Sequence, residues 1–451
     1  MTDDSTAAPT RIDRLAVVVL YGAIVFEGMS LSGIGVQLSP VQRDLGLRAD
    51  QLQWFATAFL VMYGGFLLPG GVAATAWGGR RVFRCGLLLF ALGSAVVAVA
   101  DGPWLVILGR GVQGAGAAFS VPAALALLMM TFPEGSARDR AIGAFGAMGA
   151  VGFCLGLVAQ GGLTEAFGWR SPFAISSLLA LALVTGSASI PPVARTSGRA
   201  RTPWVSAVLI ICCLLALIYA ASGSAASAWA KLAGLATGMG LAVLFVTLQL
   251  RGRNPLIPRR ILLDRRALSA NGALGAVFAA VMANTVVVAT ALQDRNGYSP
   301  MDAGAVFLSQ GLAVGAASPV ASRLVSRWSV SVLMLIGAGL VLLGQVLCLL
   351  ALDSNDVPLL LTAGLLAGTG IAGVYTAATV EVIGAVCERD HAVASGTLAS
   401  CQQVGGAFGI AVVASLQGAP DHGGTSAALA ACVLLAGCGL ASAAVGSWTR
   451  H

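Results

Sequence analysis

Apolar runs of about 20 residues, each long enough to cross a bilayer as one helix, recur from one end of this 451-residue chain to the other. Fourteen can be counted, at approximately 15–38, 52–74, 82–100, 104–131, 141–163, 172–193, 203–222, 230–250, 267–292, 303–322, 329–352, 357–386, 396–417 and 426–447. A chain that is 57% hydrophobic and only 10% charged has no water-soluble counterpart of this size. The expected fold is therefore an all-α polytopic membrane protein with fourteen transmembrane helices. An even number of spans puts both termini on one side.

The basic residues choose that side. With the N-terminus in the cytoplasm, twenty of them fall in cytoplasmic segments, including Arg80, Arg81, Arg84, Arg259, Arg260, Arg265, Arg266, Arg323 and Arg327. Only Arg43, Arg48, Arg170, Lys231 and Arg295 fall in outer loops. The opposite orientation inverts this asymmetry and is rejected. The net charge of +7 thus sets topology, and no basic soluble module is long enough for nucleic acid. Lys231 is the lone lysine in a chain rich in Ala and Gly, which points to GC-rich coding and a bacterial inner (cytoplasmic) membrane. Residues 1–14 read as a short cytoplasmic tail without a cleavage-site pattern, so the first helix is expected to stay as an anchor. The nine cysteines are odd in number and, except for Cys387, lie inside apolar runs; they read as free core residues without a disulfide framework. His391, His422 and His451 fall in loops or the tail, so neither a metal nor a cofactor is expected.

The chain also repeats itself. Gly46 in the first outer loop is matched 251 residues later by Gly297, and Thr75-Ala-Trp77 by Ser326-Arg-Trp328. Further on the offset becomes 254, where Gly114-Ala-Gly116 meets Gly368-Thr-Gly370 and Glu134 meets Glu388. A nearly steady offset across these places divides the chain into two pseudo-symmetric six-helix halves, 15–193 and 267–447, with 203–250 as a two-helix insert expected not to line the cavity. Repeats of this kind are typical of transporters, which rock one half against the other around a central site.

One span carries a charge that needs an explanation. Arg110 lies inside the run Trp104 to Met130, and an arginine near a helix centre costs roughly 2.5–3.5 kcal/mol on insertion scales. It must therefore face other helices or a wet cavity. Gln113, Gly114 and Ala117 follow at i+3, i+4 and i+7 and form one polar, small-residue face with it. Gly111, Ala115 and Ala118 form a neighbouring small stripe that lets another helix approach. Two readings stand: a charge used in coupling, or a structural charge that only ties helices together. Arg110 maps onto Gly364 in the second half, so the charge belongs to the first half alone.

These residues resemble the 14-helix drug:proton antiporter branch of the major facilitator superfamily over nearly the whole chain. The resemblance is carried by Leu108-Gly-Arg110-Gly-Val-Gln113-Gly114-Ala-Gly116, Gln51-Leu-Gln-Trp54, Phe167-Gly-Trp-Arg170 and Gly297-Tyr-Ser-Pro300 with Ala303-Gly304. Ala394-Ser-Gly396 and Gln403-Val-Gly-Gly-Ala-Phe-Gly409 complete it. The family's loop between helices 2 and 3 reads here Gly71-Val-Ala-Ala-Thr75-Ala-Trp-Gly78-Gly-Arg80-Arg81, with Thr75 where the family has an aspartate. The resemblance implies a gating role for Gly71, Thr75, Gly78, Arg80 and Arg81. In helix 5 the family's Gly-Pro is Gly156-Leu157, while Gly149, Gly152 and Gly156 keep a small packing face. Without the proline kink this helix should be straighter. The family's helix 1 aspartate aligns with Ser30; Glu27, one turn earlier, is the acid in the middle of that span.

The implied function is proton-coupled export of hydrophobic small molecules by alternating access. Glu27, Arg110 and Gln113 are the coupling residues, and Ser30, Asn284 and Gln310 are candidates for the substrate cavity. Glu27 could equally be a neutral acid that bonds a neighbouring helix, and Asn284 and Gln310 could simply tie helices together. Phe26, Phe55, Met62, Tyr63 and Phe66 either wall the cavity or face lipid. Glu381, near the inner end of its helix, reads as an interfacial residue. The partners expected are the substrate, protons and the lipid bilayer, with the chain acting as a monomer. A dedicated exporter of one natural product is the alternative. An importer or uniporter, kept open by Leu157, and a non-transporting membrane sensor rank lower. No nucleotide-binding glycine loop or nucleophile–base pair stands out, so an enzyme is not expected.

Overall fold

Inside hydrocarbon no water can take up a free backbone N–H or C=O, so a chain of this composition must satisfy its backbone within helices. The computed structural model of the protein has that form. It describes residues 14–132, 135–190, 204–221, 227–252, 255–257, 259–354, 356–387, 390–417 and 424–448. Residues 1–13, Glu134, Glu388, His422, His451 and several of the counted arginines (Arg11, Arg195, Arg199, Arg201, Arg253, Arg389 and Arg450) lie outside the described residues.

The first six helices are α1 (Arg14–Leu45), α2 (Ala49–Trp77), α3 (Gly79–Ala98), α4 (Pro103–Thr131), α5 (Ser136–Phe167) and α6 (Ser171–Gly186). The insert contributes α7 (Trp204–Ala221) and α8 (Ala228–Arg251), and a five-residue helix α9 (Arg259–Leu263) leads into the second group. That group is α10 (Arg265–Thr290, continued by a π-helical turn Ala291–Arg295), α11 (Pro300–Leu324), α12 (Val330–Ser354), α13 (Val357–Gly384), α14 (His391–Gln417) and α15 (Gly424–Trp448). Among the described residues thirteen helices are long and apolar enough to cross a membrane, and α7 supplies a shorter apolar fourteenth. Helix starts carry the expected signals. Asp264 caps α10 by accepting from the backbone of Arg266 and Ala267, and Ser299 caps α11 ahead of Pro300.

The two six-helix groups pack alike. In the first, α4 lies between α2 and α3, α5 lies on α1, and α6 lies on α3; in the second, α13 lies between α11 and α12, α14 on α10, and α15 on α12. The repeat reaches individual contacts. A side chain at Gly114 would strike the backbone of Phe59, and one at Gly368 the backbone of Gln310. Gly152 sits on the backbone of Val25, and Gly405 on that of Gly275. Gly46 and Gly297 both turn the chain with positive φ, +59° and +69°. Helices in lipid gain little from hydrophobic burial against each other, so close backbone approach at small residues supplies the packing energy.

The halves meet along two seams, α5 with α11 and α2 with α14. At the first, Gly304 lies against the Leu157 carbonyl and Gly161 against Pro300 and Met301. At the second, Gly64 lies against Gln403 and Gly396 against Leu68. Two hydrogen bonds also cross between halves near the α1–α2 loop: Ser39 Oγ donates to Asp294 Oδ2 (3.1 Å) and Gln293 Nε2 to the Gly35 carbonyl (3.3 Å).

The insert is not detached from the halves. Helix α7 packs on both α2 and α14, with Ile211 wedged against Gly65 and the Ile218 carbonyl accepting from Gln53 Nε2 (3.4 Å). Gln249 at the end of α8 donates to Ser206 Oγ (2.9 Å) and accepts from the backbone N–H of Leu256 and Ile257, fixing the connection into the second half.

Close packing at α1 and α5 makes a direct prediction. Gly152→Val must push α5 off the α1 backbone and should destabilise the protein by roughly 1–3 kcal/mol or more, the range for overpacking. Gly143→Ala, on the same helix with no neighbour within 4 Å of the added methyl, should leave stability unchanged. Thermal unfolding of the two purified variants checks the difference.

Candidate functional site

The helix 4 arginine is packed among other helices. Arg110 is 1% exposed, and its guanidinium lies over three aromatic rings: Phe59 at 4.7 Å, Phe55 at 5.5 Å and Phe173 at 5.9 Å. Its Nη1 donates to Gln113 Oε1 (2.6 Å), Gln113 Nε2 donates to Ser94 Oγ (2.9 Å), and Ser94 Oγ donates to the Phe90 carbonyl (2.8 Å). Nε and Nη2 have no protein acceptor and face this aromatic surround. A desolvated cation–π contact is worth about 2 kcal/mol. Three rings and a charge-assisted hydrogen bond therefore match the insertion cost of the arginine without an anion. The helices that build this box are α2, α3, α4 and α6.

Glu27 is also buried, 7% exposed, one residue before Gly28 on the turn of α1 that packs on α5. Gly28 beside it lies against the Gly149 carbonyl and Phe153 backbone, Gly152 against Val25, and Gly156 against Met29 and Ser32. The three glycines of α5 thus bring the two backbones together along the turns of α1 that flank the acid. The Tyr63 side chain of α2 lies beside the Glu27 carboxyl. Tyr375 of α13, from the second half, lies within electrostatic reach of the same carboxyl. Tyr375 is 44% exposed. Among the described residues no ion pair joins Glu27 to Arg110.

The two charges are nevertheless connected. Phe55, Phe59 and Tyr63 follow each other at i, i+4 and i+8 along one face of α2. The first two rings cover Arg110, the third lies beside Glu27, and the Phe59 and Tyr63 rings stand 5.7 Å apart. That stripe was visible in the sequence only as apolar wall residues. Its period of four, opposite two buried charges, is the signal that marks it. Phe173, Ser94 and Tyr375 lie far away in sequence and carry no such signal.

Ser30 is buried one turn after Glu27. Asn284 and Gln310 meet in a small cavity enclosed by α10, α11, α12 and α13, entirely inside the second half. In the α2–α3 connection, Gly78 turns with φ +95°, Thr75 Oγ1 donates back to the Val72 carbonyl (2.8 Å), and Arg80 Nη2 donates to the Ala188 carbonyl beyond α6 (3.0 Å). Arg81 is exposed. Gly71 has loose neighbours, whereas Gly70 next to it lies against the Ala118 carbonyl. α5 runs unbroken through Leu157, which is fully buried against the second half. Glu381 is half-buried and shares a small cleft with Arg266 and Ser331.

The sequence profile of the Major Facilitator Superfamily matches residues 20–188 and 272–449. The chain is 32% identical over 429 residues to a puromycin resistance protein of Streptomyces alboniger, covering 91% of this chain and 84% of that one. It is 31% identical over 408 residues to a cephamycin export protein of Amycolatopsis lactamdurans, covering 89% and 83%. A crystal structure of a peptide transporter in complex with sulfate superposes with a TM-score of 0.72 at 13% identity, over 96% of this chain and 94% of that one. The profile spans both six-helix groups and steps over the insert between them, so the chain belongs to the Major Facilitator Superfamily.

Proposed function

We propose that the protein exports hydrophobic small molecules in exchange for protons, by alternating access across a bacterial inner membrane with both termini in the cytoplasm. The observation that carries this reading is Glu27: a buried carboxyl without an ion-pair partner among the described residues, beside Tyr63 of its own half and within reach of Tyr375 of the other. An acid at membrane depth with no fixed counter-charge is a functional group by default, and its surroundings alter when the halves change their separation. The resistance and export proteins among the relatives support the outward direction.

In the proposed cycle Glu27 releases its proton toward the cytoplasm and substrate enters between the halves, past Ser30 and Tyr375. The halves then rock about the α5–α11 and α2–α14 seams, and reprotonation from outside expels the substrate. Gly149, Gly152 and Gly156 keep α1 and α5 moving as one body, and Gly71, Thr75, Gly78, Arg80 and Arg81 act where α2 turns into α3. Arg110 and Gln113 hold a fixed positive charge in the first half, and the α2 stripe Phe55, Phe59, Tyr63 links it to Glu27. Residues 15–193 and 267–447 are the moving halves and 203–250 the insert, with α7 lying along one seam. A dedicated exporter of a single natural product is the second reading, favoured by the relative that carries a single antibiotic's export in its name.

Transport into inverted vesicles against a compound panel, with and without a protonophore, tests the reading. Uptake that collapses with the protonophore is expected, and uptake indifferent to it sinks the proton coupling. Glu27→Gln should fold and bind neutral substrates yet lose substrate-induced proton release in detergent, and Glu27→Gln with Ser30→Asp should recover part of it. Parent-like proton release from Glu27→Gln alone means that another group carries the proton.

Arg110→Ala should reach the membrane but lose proton-driven transport. Arg110→Lys should also be impaired, because an ammonium cannot lie flat on the rings while bonding Gln113. A fully active Lys variant beside a degraded Ala variant reduces Arg110 to a packing charge.

A further inference from the structure

The position in the second half that corresponds to Arg110 is a polar cavity. The correspondence is fixed by packing. Gly93 of α3 lies against Gly109 and Gln113 of α4, and Gly344 of α12 lies against Ala363 and Ala367 of α13. Gly114 meets Phe59, and Gly368 meets Gln310. Arg110 therefore maps onto Gly364, Phe59 onto Gln310 and Ser94 onto Gln345. Where the first half has a guanidinium under phenylalanine rings, the second has a glycine against the Ser309 hydroxyl, at the wall of a cavity that Asn284, Gln310 and Gln345 also line.

The chemistry of the surround is inverted. Asn284 Oδ1 and Gln345 Oε1 are buried acceptors that no protein donor reaches, on side chains 9% and 2% exposed. Both residues line the cavity, together with Cys348 and Phe307. Asn284 and Cys348 lie side by side in its wall, and the Asn284 carbonyl oxygen is left without a protein donor. The room open to the centre of a water-sized sphere is about 20 Å³, above the roughly 10–15 Å³ that one water needs. Two orphaned carbonyl oxygens require N–H or O–H donors. The first half places such donors at the equivalent point through its arginine.

We propose that this cavity binds one small hydrogen-bond donor, held by Asn284 Oδ1 and Gln345 Oε1 in place of the guanidinium that the first half supplies covalently. Two sources share that chemistry, an internal water and an ammonium-sized cation. The site lies inside the second half and does not depend on the transport reading.

The test is a double-substitution cycle on the purified full chain, read as apparent melting temperature. Gln345→Met and Asn284→Leu each keep the shape and remove one acceptor. With a bound donor, each single variant should melt lower than the parent, by roughly 1–3 °C. The double variant, which excludes the donor and leaves no acceptor orphaned, should lose clearly less than the two shifts combined. Effects that simply add, whether losses or gains, overturn the proposal, because the two positions then share no ligand. Titration with ammonium chloride against tetramethylammonium chloride identifies the source. A rise with ammonium alone, abolished in the double variant, assigns an ammonium-sized cation; no rise beside a non-additive cycle assigns water.

Discussion

A guanidinium buried at membrane depth with no carboxylate beside it is the constraint around which the first half is arranged. Its insertion cost forces helices α2, α3, α4 and α6 to present a surface that accepts a cation without water. Phe55, Phe59 and Phe173 provide that surface, and Gln113 takes one N–H. Gln113 is held in turn by Ser94. The glycine at 114 is required by the same arrangement, because Phe59 can stand over the guanidinium only if α2 approaches α4 at backbone distance. Charge, ring placement and helix separation are thus one problem with one solution.

The fold was legible because its signals are periodic. Each apolar run gives a span by length, and the recurrence of Gly46 as Gly297 and of Gly114 as Gly368 gives the repeat. Both kinds of signal depend on residues that act locally, through helix length, a left-handed turn or close approach. Sequence also marked Arg110 and Glu27 as exceptions within their runs. It did not give their surroundings, because Phe173, Ser94 and Tyr375 are brought in by tertiary packing from other helices. The stripe Phe55, Phe59, Tyr63 lay between these cases. Its spacing was in plain view, but an aromatic face on a membrane helix suits lipid as well as a neighbour. Only the packing of α2 against α4 and α1 decides between them. Asn284 and Gln310 were likewise marked by polarity alone, and their enclosure within one half follows from the approach of α11 to α13.

The pattern of small residues separates the tight contacts from the looser ones. Within each half, backbone meets backbone at Gly152 and Val25, Gly114 and Phe59, Gly405 and Gly275, Gly368 and Gln310. Such contacts have no slack, since any added atom collides. Part of the α2–α14 seam is built differently. There Gly64 meets the Gln403 side chain and Gly396 the end of Leu68, and side chains can change rotamer where backbones cannot. The α5–α11 seam is as tight as the contacts within a half, with Gly304 against the Leu157 carbonyl and Gly161 against the Met301 backbone, so the looser packing between the halves lies along α2–α14.

The asymmetry between the halves follows from the same geometry. A duplicated six-helix unit gives two equivalent positions where helices 2, 3 and 4 of each half converge. Two buried arginines there would repel each other across a low-dielectric interior and double the insertion cost. Replacing one by Gly364 removes the charge but opens space, and the amides at 284, 310 and 345 make that space polar. The fixed charge consequently stays on the side of Glu27, joined to it through a continuous aromatic face of α2, while the opposite half presents neutral dipoles. In the exchange cycle proposed above, Glu27 titrates against one cation held within its own half, and the variable part of its environment is what the other half brings, Tyr375 first among it.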